Sequence, residues 1–341
     1  MKNTLVSILL FALLTLLVPA AAFLKVPTAA AAPQSEGSTS PEASAAPAAT
    51  PAPKQDPLGA GDDLLIWDSG SQQLLTVPMR DYLIGAVASE MPINWPDEAL
   101  KAQAVAAHSY ALYQKQHAGP AAAMTGWFSA DPARRQGFMT DEVLRSYWGV
   151  AYEENYQHLS ALVDTVLDQV LLYEDGPAAA CYHAISCGVT EASQNVWEES
   201  LPYLQGVDSP LDLTSPDYEK SVTYTDQQMY DALSLSGLGI QLDGLDPQEW
   251  FGACDTTAAG YIKTIQTADQ TLTGTQLRQI LGLRSTCFSI THEEDVFTVT
   301  TKGYGHGVGL SQYGANAMAL AGKSCEEILA YYYPGTRLER L

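Results

Sequence analysis

Three groups of side chains in this 341-residue chain are suited to chemistry. The first is a single carboxyl, Glu90. Leu83, Ala86, Val87 and Glu90 recur at i, i+3, i+4 and i+7, so a helix carries them on one face, apolar except for the Glu. Met91 precedes Pro92 and is biased toward extended geometry, which predicts that the helix stops near Glu90. No Lys or Arg lies within nine residues of it on either side. Apolar burial and the negative end of a helix dipole both disfavour the carboxylate. A carboxyl kept protonated near neutral pH is what a general acid needs. The plain alternative is a helix-ending Glu exposed to water.

The second group is Cys181, His183 and Cys187, within seven residues. Two thiolates and an imidazole are three of the four ligands that tetrahedral zinc takes, with the fourth from elsewhere. The spacing is not that of a zinc knuckle. A Cys181–Cys187 disulfide and two reduced buried thiols are the other readings. The third group is Gly303, Gly305, Gly307 and Gly309, alternating with Tyr304, His306 and Val308. It lacks the Gly-Lys-Ser/Thr ending of a phosphate loop. Four glycines permit close approach of a ligand, or of the Glu90 helix, to the main chain. A helix over 311–321 follows, with Gln312 and Tyr313 in its first turn. His306 taken alone reads as a satisfied structural histidine.

The elements that must position these groups are legible in part. Short strands are predicted at 64–67 and 73–77, around the turn Asp68-Ser69-Gly70. Pro78 suits a helix start, and a second helix opens at Pro96 with Asp97 and Glu98 complementing its dipole. Residues 119–128 and 131–136 read as loop. A helix is predicted over 152–167, a strand over 170–173, a helix over 271–283 with Thr273 as N-cap, and a strand over 297–300. Cys254 and Cys287 are a further candidate disulfide, and Cys325 a structural or free thiol. Residues 1–25 hold Lys2 and then twenty nearly continuous apolar residues, a secretory signal or an uncleaved anchor. Either sends the rest across the membrane. Residues 26–62, rich in Ala, Pro, Ser and Thr, read as a linker that holds a domain over 63–341 away from it.

The net charge is −22, from 39 acidic and 17 basic residues. Nucleic acid, which needs a basic footprint, is excluded as a partner, and docking on anionic lipid by charge alone is disfavoured. A largely neutral glycan is compatible with it.

Three stretches carry a family resemblance. EMPINWPDEALKAQAVAAHSYAL, YHAISCGVTEASQNVW, and GYGHGVGLSQYGANAMA with YYYPGTR together resemble, in order, the signatures of the stage II sporulation protein D (SpoIID) family and its LytB-type amidase-enhancer relatives. Ala184 stands where the family commonly has Ser, and Cys187 where it has Ser or Gly. The resemblance implies a single α+β catalytic domain, in one body or as two lobes around a cleft. It implies a peptidoglycan lytic transglycosylase, a glycan lyase with Glu90 as acid and base, acting on denuded strands in sporulation and engulfment. No cofactor is required, although some relatives have a zinc site near the active site. The resemblance implies substrate contacts from His183, His306, Gly307, Ser311, Gln312 and Tyr313. It favours the membrane anchor over the cleaved signal, and other engulfment or wall-hydrolase proteins as partners. A hydrolase would need a second carboxylate, with Asp81, Glu98 and Glu191 as candidates. A non-catalytic amidase enhancer is the alternative from another class. A zinc amidase is disfavoured by the absence of an H-E-x-x-H pattern.

Overall fold

The structure, a computed structural model, describes residues 63–197 and 199–341. The apolar segment and the linker expected over 1–25 and 26–62 lie outside the described residues, and no described helix is long and apolar enough to cross a membrane. The architecture is α+β, built on two hydrophobic cores.

The first core begins with a hairpin of Asp63–Asp68 (β1) and Gln73–Pro78 (β2). Leu64 and Ile66 alternate inward along β1, and the Asp68 carboxylate closes the turn by accepting from Gly70 N at 2.9 Å and Ser71 Oγ at 2.6 Å. Two helices follow, Met79–Glu90 (α1) and Asp97–His117 (α2). The end of α1 is where the Met91-Pro92 pair demands it: Met91 is extended, with φ −127° and ψ 142°. The long α2 buries Ala99, Ala102, Ala104, Ala106, Ala107 and Ala111, small side chains that let neighbouring elements approach closely on several sides.

Around and after the residues read as loop, the chain contains more structure than its sequence shows. Phe128–Ala130 (β3) pairs in parallel with β1, and Asp141–Trp148 (α3) is a helix capped by Thr140 Oγ1 on Val143 N. Both are short and lean on the first core, so their local sequence signal is weak. Tyr152–Val166 (α4) and Gln169–Tyr173 (β4) stand where they were expected, with Gly176–Pro177 (β5) beside β4.

Tyr182–His183 (β6) follows, and Tyr203 and Leu204 still pack in this core before the chain leaves it and builds the second. There Glu219–Thr225 (β7) leads into Asp226–Ser234 (α5). Phe251–Thr256 (β8), Ile262–Thr267 (β9) and Gln270–Thr273 (β10) form one sheet, with Gly274–Leu281 (α6) after it. The predicted helix thus starts three residues late. Thr271, Leu272 and Thr273 pair with β9 instead, as the two β-branched threonines favour, and Thr273 is the N-cap in a capping box with Gln276. Phe288–Glu293 (β11) and Val296–Lys302 (β12) complete a sheet with β7, in the order β11-β12-β7.

The chain then returns. Leu310–Ser311 (β13), Gln312–Leu320 (α7), Cys325–Tyr332 (α8) and Arg337–Arg340 (β14) complete the first body, with Val308, Leu310, Tyr332 and Tyr333 in its core and β14 on β4. The domain therefore has two lobes, and the second is inserted in the first.

The glycine signature is the seam. β13 pairs in parallel with β6, Tyr304 bridges Ile185, and Val308 bridges Glu191. Gly309, at φ +73°, lies so close to the Cys181 carbonyl that a Cβ would collide with the oxygen. Gly309→Ala is expected to lower stability by at least ~2 kcal/mol, through combined backbone strain and overpacking, in urea denaturation.

Candidate active site

Glu90 is the last residue of α1 and lies half-buried on the floor of a cleft of about 1060 Å³. Trp95, Tyr304, Gln312 and Tyr313 line it from the first lobe. Lys220 and Arg284 line it from the second. Gln312 Nε2 donates to Glu90 Oε2 at 3.0 Å and stands 3.4 Å from Gln103 Oε1. Burial pushes the Glu90 carboxyl above its usual value of 4.5, and the Gln312 bond opposes this. No cation pairs with it among the described residues, in keeping with its sequence surroundings.

Gln312 is held by the start of its helix. Ser311 Oγ accepts from Gly314 N at 3.2 Å as N-cap and donates to Asp212 Oδ1 at 2.8 Å. The other Asp212 oxygen accepts from Ser186 N and Ser186 Oγ, at 2.9 and 2.5 Å. Asp212 is fully buried, and desolvation pushes its carboxyl up against these bonds. Sequence reading missed it, because an Asp in a Leu-Asp-Leu turn carries no signal until its three donors arrive from other segments.

The predicted contact residues separate into two sets. Gln312 and Tyr313 line the cleft, Tyr313 edge-on to Trp95 with ring centroids 6.3 Å apart. Ser311 and Gly307 are buried and structural: Ser311 caps α7, and Gly307 has no side chain because the Tyr261 ring packs where one would be. His183 and His306 stand together away from the residues lining the cleft, ring centroids 5.8 Å apart, with Trp197 5.0 Å from His306. His183 Nδ1 bonds the Val308 carbonyl, His306 Nδ1 accepts from Val308 N, and His183 Nε2 is buried without a partner. Desolvation pushes His183 down to about 4 and His306 well below its usual range, so both are neutral imidazoles at pH 7.

Cys181, His183 and Cys187 do not fit a zinc ion as a set. Cys181 lines a small cavity with Tyr110 and Tyr113, and burial pushes its thiol up to about 12. The Cys187 thiol turns the other way, donating to Ala259 O at 3.0 Å and meeting the thiol of Cys287, which holds Cys187 down at about 7. Among the described residues no three His, Cys, Asp or Glu side chains form a metal-binding group. All five cysteines are free thiols, so neither the Cys181–Cys187 nor the Cys254–Cys287 pairing is made. Cys254 is exposed on β8 while Cys287 faces Cys187.

None of the candidate second carboxylates lines the cleft. Asp81 is exposed. Glu98 accepts from Lys101 Nζ at 2.8 Å and from Cys325 N at 2.6 Å. Glu191 is buried and accepts from Asn195 Nδ2 and Thr257 Oγ1. The other acid that lines the cleft is Asp217, whose side chain is 76 % exposed. Trp95, inside the first signature, was within reach of sequence reading. Lys220, Arg284 and Asp217 belong to no motif.

This architecture defines an α+β cleft protein with one isolated acid on the floor. The family model for SpoIID, stage II sporulation protein, matches residues 68–173. Stage II sporulation protein D of Bacillus subtilis strain 168 is 35% identical, over 80% of this chain and 78% of that protein. Its counterpart in Bacillus amyloliquefaciens is 34% identical over 79% and 76%. The amidase enhancer of B. subtilis strain 168 is 30% identical, over 75% of this chain and 40% of that protein. The chain belongs to the stage II sporulation protein D family.

Because the Glu90 carboxyl is raised above 4.5, its contribution to stability is complete below that pH and is lost as pH rises through the folded value. Glu90→Gln is therefore expected to be more stable than the wild type at neutral pH. The gap should close below pH 4.5, read by urea denaturation at a series of pH values.

Proposed function

We propose that this protein is a peptidoglycan lytic transglycosylase that cleaves the bond between N-acetylmuramic acid and N-acetylglucosamine in strands stripped of stem peptides. The supporting observation is Glu90: a carboxyl whose hold on its proton is strengthened by burial on the cleft floor, with no second buried carboxylate in the lining. In the first step Glu90 gives its proton to the leaving glycosidic oxygen. The resulting carboxylate takes the proton from the muramic acid 6-hydroxyl, whose oxygen attacks C1 and closes a 1,6-anhydro ring. No water enters, and one group serves both steps. Hydrolysis by two carboxylates would need a partner about 5 to 9.5 Å from the first, on the face of the sugar. Gln312 keeps the Glu90 carboxyl turned toward the cleft, and Trp95 and Tyr313 offer apolar faces to sugar rings.

The names of the Bacillus relatives support a role in sporulation. With the apolar stretch over 5–24, they support a domain held outside the cytoplasm by a membrane anchor, among other wall-remodelling proteins. A second reading, a wall-binding modifier of a separate amidase, is supported by the similarity to the amidase enhancer.

Peptide-free glycan strands incubated with the protein are expected to yield fragments ending in 1,6-anhydromuramic acid, identified by mass spectrometry. Glu90→Ala should lower their rate of formation by at least ~100-fold with the fold intact. Hydrated reducing ends instead would establish a hydrolase. No cleavage by the folded wild type would favour the amidase modifier.

A further inference from the structure

The two walls of the cleft differ in charge. In a chain of net charge −22, the second-lobe wall presents Lys220 from β7 and Arg284 from the turn after α6. Arg284 is a built feature. Its carbonyl accepts from Gly305 N at 2.9 Å, tying the turn to the glycine seam. Its guanidinium lies over the Tyr304 ring, 4.3 Å from the centroid, and its side chain is 18 % exposed. Its Nε is buried and has no hydrogen-bond partner. The acid that approaches it, Asp217, is 3.9 Å from the guanidinium and 76 % exposed, beyond hydrogen-bond range and screened by water. A desolvated donor without an acceptor is costly, and a planar fork with free donors matches a carboxylate. Lys220, on the same wall, forms no ion pair among the described residues, and the exposed position suits a point charge that attracts an anion rather than orients it.

The group that matches one guanidinium is a single carboxylate, presented on a polymer whose charges are spaced well apart. Muramic acid carries such a group in its lactyl carboxylate. When a stem peptide is attached, that carboxyl is an uncharged amide. We propose that Arg284, assisted by Lys220, is a subsite for the free lactyl carboxylate of a muramic acid residue, through which the cleft distinguishes peptide-free from peptide-bearing strands. This rests on the glycan reading of the cleft. It adds the residues that would select the substrate.

The test is a binding measurement on full-length Glu90→Gln protein by calorimetry, so that catalysis does not enter. The probes are peptide-free glycan strands and the same strands with their lactyl carboxyls reduced to alcohols. The parent is expected to bind the carboxylate strands about tenfold more tightly or better, with a preference that shrinks as salt rises. Adding Arg284→Gln should abolish the preference while affinity for reduced strands holds, and Arg284→Lys should restore part of it. Equal binding of the two strands by the parent, or an unchanged preference in folded Arg284→Gln, overturns the proposal. Binding with the expected preference but no anhydro products from the wild type would remove the transglycosylase reading and keep the subsite. No binding of either strand overturns both.

Discussion

One hydrogen bond joins the beginning of the first lobe to its end: Gln312 to Glu90, across 222 residues. It is worth little by itself, but its geometry is set by a chain of constraints. Gln312 is where it is because Ser311 caps α7, and Ser311 is fixed by Asp212. Asp212 is fixed in turn by Ser186, which belongs to the segment paired along the glycine seam. A buried carboxylate that satisfies three donors from two distant segments is strong where complete and damaging where broken. The acid on the cleft floor thus depends on a second buried acid; burial raises both carboxyls, but their hydrogen-bond partners differ in number. Asp212 is surrounded by donors, and Glu90 is given one.

The imidazoles illustrate the same separation. Neutral His183 and His306 rest on the two sides of the Val308 peptide and stiffen the seam behind the cleft. The His306 ring lies tilted against Trp197, away from the cleft-lining pair of Trp95 and Tyr313. The thiols follow: Cys187 meets Cys287 across the lobes, while Cys181 stays in the first core. Signature residues here mostly build the seam, and only a few of them reach the groove.

Glu90 was legible from sequence because its signals are local: a helical face, a proline that ends the helix and an absence of nearby cations. The cap at Thr273 and the strands of the first hairpin were legible for the same reason. The α+β class and the family followed from three ordered signatures. The zinc set does not come together among the described residues, because Cys181 is held in the first core while Cys187 turns to Ala259 and Cys287. The cleft wall of the second lobe could not be read at all. Lys220 and Arg284 are 64 residues apart by their numbers, and only the fold brings the strand β7 and the turn after α6 to one cleft wall. Likewise β3 and α3 exist because β1 and the first core offer them a surface, and their own residues barely ask for it.

The insertion of one lobe in the other also dictates an order of assembly. The first core lacks Val308, Leu310, Tyr332 and Tyr333 until the last part of the chain arrives, whereas the second core is complete once residue 299 is made. Where the chain leaves and re-enters, Gly303 N bonds Tyr218 O at 2.7 Å, so a folded second lobe delivers its two ends side by side. That removes most of the loop-closure entropy that a long unstructured excursion would cost when the glycine seam zips. For a chain that emerges N-terminus first, the second lobe acts as an internal staple, and the acid on the floor reaches its final surroundings only when the C-terminal tyrosines have closed over the seam.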